Sequence, residues 1–384
     1  MRKILIVLFA LFFISVKPVL GIYDPRSMAN NKFGIHIIDE NDINAAALLL
    51  NSSGGDWGYI TMVIPENERK LAKWSEIFRN LKRKHLIPII RIASKLEKDY
   101  WQKPDTSEIE NWVDFLDNLP WPIKNRYVVI YNEPNHAKEW GNSIEPESYS
   151  DFLLAFSLRL KEKSEDFFLL PAGLDASAPN SNSTMDETDF LRRMLNENPD
   201  IFDHIDGWTS HSYPNPNFSG SPDARGRGSI ANFVWELGLI KSLGINKDLP
   251  VFITETGWAH NQEESLSNSF LSPDSVSENF LKAYKNVWNN KDIVAVTPFL
   301  LNYQSFPFAN FSWRKLNSEE YYPQYETYRK IAKVKGTPIK NIILPSISPV
   351  LGNKDILGIS EIKDSSPKLN ILASFWTILL KLIV

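Results

Sequence analysis

The sequence predicts an α/β fold, a single (β/α)8 barrel of the TIM type, and three observations carry that expectation. Strand-like and helix-like runs alternate from Lys32 onward with a period of roughly 40 residues. The strand runs are short and rich in Ile, Val, Phe and Leu, as suits strands buried on both faces. Segments that follow strands are long, whereas those that follow helices are short. Barrels carry their function on the loops after the strands, so this asymmetry points to one built-up face.

In chain order the strand candidates are 33–38, 57–65, 87–93, 126–131, 167–173, 205–212, 250–254 and 293–301. Amphipathic patterns lie between them over 70–84, 109–119, 147–163, 230–243 and 276–289, and 322–333 supplies a closing helix. Successive strand–helix units of this kind fit a closed barrel better than an open sheet, which requires a topological switch. An irregular α/β domain is the plainer alternative. The long connections are 214–229, 259–275 and 304–321; the short ones are 244–249 and 290–292.

Composition sets the outer bounds. The chain has 384 residues, 43% hydrophobic and 23% charged, which is ordinary globular usage for one barrel with terminal extras. The formal net charge is −4 and no basic block or stripe occurs, so nucleic acid is not an expected partner. Residues 1–21 begin with Arg2 and Lys3, continue through an apolar run, and end at Pro18 and Gly21. That layout predicts a secretory signal cleaved after Gly21, with an uncleaved anchor as the alternative. Cysteine is absent, so no disulfide supports the fold and neither a thiolate metal site nor a Cys nucleophile is available. The catalytic domain is expected over 22–335. Residues 336–384 form a tail punctuated by Pro338, Pro345 and Pro349, and its apolar end, 371–384, is too short for a full span. It fits a membrane-proximal or cell-envelope-associated segment. Sequons at Asn182, Asn217 and Asn310 have meaning only in a glycosylating host.

Three segments carry chemistry. In Arg126-Tyr-Val-Val-Ile-Tyr-Asn132-Glu133-Pro134-Asn135 an apolar strand runs into a carboxylate, and Pro134 ends the ladder there. In Pro250-Val-Phe-Ile-Thr-Glu255-Thr-Gly257-Trp258 a second apolar strand delivers a second carboxylate. Taken singly, the first could be an ordinary turn and the second an incidental Glu near a helix start. Together they fall at the ends of the fourth and seventh predicted strands, where they can converge across a barrel mouth. Glycoside hydrolysis needs such a pair, one carboxyl to protonate the leaving oxygen and one carboxylate to attack or to activate water. The third segment, Gly207-Trp-Thr-Ser-His211-Ser-Tyr213-Pro, places His211 and Tyr213 two apart, on one strand face. From an inward face both can reach the carboxylate of the neighbouring seventh strand.

The Asn-Glu-Pro element, the His-x-Tyr element and the strand-seven Glu resemble the clan A retaining glycoside hydrolases, a group of cellulase-like, mannanase-like and xylosidase-like barrels. The resemblance runs from Phe33 to Lys333. It implies that Glu133 is the acid/base, Glu255 the nucleophile, Asn132 a holder of the sugar 2-hydroxyl, and Tyr213 a contact to the nucleophile. Clan members also place an Arg near the end of strand two, where this chain has none; the nearest candidate is Arg91 on strand three. They place a Trp on strand eight, where this chain reads Leu300-Leu301-Asn302-Tyr303. Trp258, Trp140, Trp313 and Tyr303 are therefore candidate sugar platforms, and His36 is a candidate on the first-strand rim. The expected partner is a carbohydrate, with no cofactor and no metal, since the six His form no H-x-H or H-E-x-x-H pair. Two rivals stand beside this reading: a carbohydrate-binding barrel without catalysis, and a metal-dependent hydrolase on the same scaffold.

Overall fold

The computed structural model describes residues 21–262 and 270–341. The expected leader (but for Gly21) and the tail beyond Asn341 lie outside the described residues. Eight strands run parallel: β1 (Gly34–His36), β2 (Gly58–Pro65), β3 (Leu86–Ala93), β6 (Arg126–Ile130), β7 (Phe167–Pro171), β8 (Trp208–His211), β9 (Val251–Glu255) and β10 (Ile293–Val296). A two-residue antiparallel pair, β4 (Leu96–Glu97) and β5 (Tyr100–Trp101), decorates the loop after β3.

The strands form a five-stranded sheet, β1-β2-β3-β6-β7, and a three-stranded sheet, β10-β9-β8. At one seam Phe33 bridges Val296 in parallel, and His36 N donates to Pro298 O at 3.0 Å. Gly34 sits in that seam because a Cβ there would lie 2.9 Å from both Tyr59 O and Val296 O. At the other seam Asp206 N donates to Leu169 O, and Leu169 N donates back to the Asp206 carboxylate, both at 2.8 Å. A side chain thus stands in for the next rung of the ladder. The strands expected from the sequence are present in the expected order, arranged as two parallel sheets joined by these seams instead of one unbroken ladder.

Helices α1 (Ile43–Leu50), α2 (Leu71–Arg83), α3 (Ile109–Asp117), α4 (Pro146–Lys163), α5 (Glu187–Glu197), α6 (Asn232–Ser242), α7 (Pro273–Asn286) and α8 (Pro323–Lys330) alternate with the strands. In α2 the buried Trp74, Ile77, Phe78 and Leu81 fall on one helical stripe. Pro occupies the first turn of α4, α7 and α8, where its missing N–H costs no intrahelical bond. Two helices escaped the sequence pattern. α1 is apolar almost all round, so it shows little amphipathic period. α5 is set by its start, where the Asp186 side chain accepts from Thr188 N at 2.8 Å.

Strand alternation separates two cores, and a third apolar cluster holds Phe299, Phe308 and Phe311 with Trp101, Leu300 and Tyr303. Ile60, Ile90, Val128, Leu169 and Ile253 face the helices within the larger core. Tyr59, Ile87, Ile89, Tyr127, Val129, Phe168, Leu170, Phe252 and Val294 face inward and pack on one another in a second core. Arg91 continues the inward row of Ile87 and Ile89, so the strand's own period carries a guanidinium to the top of this inner core. Leu170→Ala should open a cavity there and cost about 2–5 kcal/mol. Urea unfolding at neutral pH, read by tryptophan fluorescence, would show it as a lower midpoint at unchanged slope.

Candidate active site

Glu133, Glu255, His211, Tyr213, Arg91 and Asn132 converge at the C-terminal ends of β3, β6, β8 and β9. Glu255 is the last residue of β9, and a register shift in the β8–β9 ladder sets His211 directly opposite it. Glu133 follows β6 by three residues on a turn where Tyr131 and Glu133 both take positive φ, +67° and +27°. Non-glycine residues in that region cost energy and persist only where the surroundings hold them. Here Glu133 N donates to Gly173 O at 3.0 Å, and the Asn135 amide donates to the carbonyls of Asp175 and Met185.

The two carboxylates are served differently. Arg91 Nη1 donates to Glu255 Oε1 at 2.8 Å, and the Tyr213 hydroxyl donates to Glu255 Oε2 at 3.1 Å. The same Arg91 Nη1 donates to the Asn132 side-chain oxygen. His211 Nδ1 donates to Glu133 Oε1 at 2.7 Å and stays 4.0 Å from Glu255. The sequence led us to expect both His211 and Tyr213 on the seventh-strand carboxylate; the imidazole instead goes to the fourth-strand one. Gly173 makes room for that ring, since a Cβ there would sit 2.3 Å from His211 Cδ2.

Burial alone would push the Glu255 carboxyl up, but His211, Arg91, His36 and Tyr213 together hold it below its ordinary value. For His211, burial works against the charged form, and the two carboxylates outweigh it, so its titration moves up. Burial raises Tyr213 well above its usual range, which keeps its hydroxyl a donor. Beside Glu133, His136 pairs with Asp175 at 3.0 Å; burial opposes its charge, yet Asp175 and Glu133 push it up to about 9. Glu139, buried and close to Glu133, is pushed up to about 8 by burial first and by that neighbour second.

Glu133, His136, Asp175, His211, Tyr213 and Glu255 line a cavity of about 460 Å³, whereas Arg91, Asn132 and Glu139 lie outside its lining. Its lining combines polar residues, His136, Asp175, Ser177, Ser181, Ser183, Thr184, Asn215 and Asn217, with the aromatic Phe218, Phe299, Phe308 and Phe311. The expected aromatic platforms are elsewhere. Trp140 is buried against Tyr131, Tyr149 and Phe152. Trp258 is buried against Phe280 and Trp288, with its indole N–H on Gly220 O. Trp313 packs on Phe280 and Tyr328. Tyr303 is buried against Phe308 and does not line the cavity. These loops fold back onto the body, so the large rings fill core. His36 also lies below the cavity: it is buried edge-on to Phe299, its nitrogens have no hydrogen-bond partner, and burial pulls its titration down to about 3.

The strand count for Arg91 stands, because Arg91 is on the third strand, in register with Val63 of the second. Reach, not strand number, brings its guanidinium to Glu255. Phe299 was missed in the sequence, although Thr-Pro-Phe299 follows β10 much as Tyr-Asn132-Glu133 follows β6. His136 was missed because an isolated His after a turn gives no pattern of its own. As for metals, Glu133, His211 and Glu255 offer ligand atoms within 4.8 Å of one another, the one such cluster among the described residues. Arg91 argues against a divalent ion there, since its cationic nitrogen already occupies one face of Glu255.

No known family profile matches the sequence, and no curated protein matches it. Solved structures do. A glucosidase from Croceicoccus marinus superposes with a TM-score of 0.55 at 8% identity, over 79% of this chain and 68% of that one. XacCel5A, also solved with cellopentaose bound, gives 0.51 at 12% identity, over 80% of this chain and 100% of that one. A monomeric beta-xylosidase from Caulobacter crescentus CB15 gives 0.49 at 11% identity, over 79% and 69%. The first two establish a likeness of fold: this chain has an architecture similar to that of glycosidases.

The donors to Glu255 set a pH dependence. Its carboxyl is held below the ordinary 4.5, so the ionised partnership stabilises the fold above that pH and is lost as pH falls through the lower, folded value. Tyr213→Phe removes one donor to the charged group. It should raise the Glu255 midpoint and cost about 1.5–3 kcal/mol near neutral pH. Carbon-13 NMR of labelled Glu side chains reads the midpoint, and urea unfolding at neutral and acid pH should show the deficit shrinking in acid.

Proposed function

We propose that this chain is a retaining β-glycoside hydrolase on a (β/α)8 barrel, exported or held at the cell envelope, with Glu133 as acid/base and Glu255 as nucleophile. The observation that carries the reading is the carboxylate pair. Oxygens of Glu133 and Glu255 come within 4.8 Å of one another. Retaining enzymes hold their carboxyl groups roughly 5–5.5 Å apart and inverting ones about 6.5–9.5 Å, so an approach this close of single oxygens supports retention without itself measuring the group separation. The barrel reading is supported by the eight parallel strands, their order and the inner core. The β configuration is supported by the likeness of the Asn-Glu-Pro, His-x-Tyr and strand-seven Glu elements to clan A. The leader-like residues 1–21 and the lack of cysteine support export. Association with an envelope would rest on the apolar residues 371–384; among the described residues no helix is long and apolar enough to cross a membrane.

The roles follow from the partners. Glu255, held ionised by Arg91 and Tyr213, attacks the anomeric carbon as the bond to the leaving oxygen breaks. Glu133 gives its proton to that oxygen. As a carboxylate it then takes a proton from water, whose oxygen displaces Glu255 and releases the sugar with retained configuration. His211, hydrogen-bonded to Glu133 and close to Glu255, is placed to follow the charge as it moves between them. In this reading Asn132, held by Arg91, takes the 2-hydroxyl of the sugar.

Incubation with activated 2-deoxy-2-fluoro β-glycosides should give a stable mass adduct on Glu255. Glu255→Gln should abolish adduct and turnover while sugar binding survives. Glu133→Gln should slow hydrolysis of unactivated glycosides by about 10²–10⁴-fold. A strong chelator should leave activity unchanged. Sugar binding with no adduct from any sugar, on folded protein, would favour the non-catalytic binding barrel.

A further inference from the structure

Resting on the glycosidase reading above, we infer that the substrate is an amphiphilic glycoside, a sugar joined to an apolar aglycone such as an alkyl or aryl group, and not an unsubstituted polysaccharide. The argument is the chemistry of the cavity wall. Four phenylalanines that line the cavity form one continuous patch, although Phe299, Phe308 and Phe311 are otherwise buried in a core cluster with Tyr303. Phe218 packs edge-on to Tyr213 and Phe311, each at 5.0 Å between ring centroids. Phe299 lies edge-on to Phe308 at 5.0 Å and to Phe311 at 5.9 Å. The patch therefore begins at the phenol that touches Glu255 and runs outward along the loops after β8 and β10.

None of these four rings has a polar atom. A polysaccharide presents hydroxyls around every residue, and those set against such a wall would lose water without gaining a partner. An alkyl or aryl aglycone has no such requirement and gains from every methylene removed from water. Polar groups line the same cavity, where His136, Asp175, Ser181 and Thr184 from the loops after β6 and β7 and Asn217 beside Phe218 offer donors and acceptors to one sugar. Phe306, two residues before Phe308, is 73% exposed, the most exposed large hydrophobic side chain among the described residues. A cavity that joins four phenylalanines, a set of hydroxyl and carboxylate groups and the catalytic pair matches a molecule with both a sugar and an apolar part.

The test uses n-alkyl β-D-glucosides and β-D-xylosides from methyl to octyl, below their micellar concentrations, alongside cello- and xylo-oligosaccharides. The expected result is a kcat/KM that climbs by up to about fourfold per methylene and exceeds that for the oligosaccharides. In Phe308→Ser the climb should flatten, whereas Phe308→Leu should keep it. Hydrolysis with no dependence on chain length, or with oligosaccharides preferred, would overturn the inference and leave the glycosidase reading intact. Should no glycoside be turned over or form an adduct, titration calorimetry of the same alkyl series decides. A Kd that falls with chain length would keep the apolar arm while the glycosidase reading fails, and a flat Kd would overturn both.

Discussion

Two carboxylates withdrawn from water within reach of each other cannot both be accommodated without compensating donors, and the rest of the site is arranged around that requirement. Arg91 supplies a permanent charge to Glu255 because the inward row of β3 ends with it. Tyr213 adds a hydroxyl from the segment after β8, and His211 takes Glu133. Removal of one partner would leave an uncompensated buried charge, which is costlier than the pair is stabilising. The site is thus made of residues from four strands that are distant in sequence and adjacent only because the sheets bring their C-terminal ends together.

The inner core gives this arrangement its firmness. Tyr59, Tyr127, Phe168 and Phe252 meet as a cluster of large rings beneath the site. Above them β3 ends in a polar residue that points the same way as the apolar ones before it, and an irregularity in the β8–β9 ladder brings Glu255 to the same place. The change from Ile87 and Ile89 to Arg91 marks the boundary between packing and chemistry on β3. Loops then add what the strands cannot: the phenylalanines after β8 and β10, and most of the polar lining after β6 and β7.

Strands and most helices were legible because alternation of residue type follows from backbone geometry, and the geometry here is regular. The carboxylates were legible for a related reason: an apolar strand that ends in Glu is a conspicuous change. Arg91 was found with its strand, although its partner could not be read from sequence. The aromatic wall was not legible. Trp140, Trp258 and Trp313 fall in loops, and sequence does not distinguish a loop ring turned outward from one folded back into the core. Among 22 Phe, those facing the cavity carry no mark that separates them from the others. The pairing of His136 with Asp175 depends on two loops from different strands and is invisible to any local pattern.

The seam at Phe33 and Val296 has a consequence for how the chain comes to be. The first strand is three residues long and lies between β2 and the last strand, with which it shares few hydrogen bonds. A nascent chain leaving the ribosome can pair β1 with β2 early, but its other flank must wait until almost the whole domain has been made. Until then the inner core is open along one side, and Phe33 and Ile35 lack part of their cover. Such a late closure ties final stability to contacts of high sequence separation, which form slowly. During synthesis, that open flank is where a chaperone would find the most to hold.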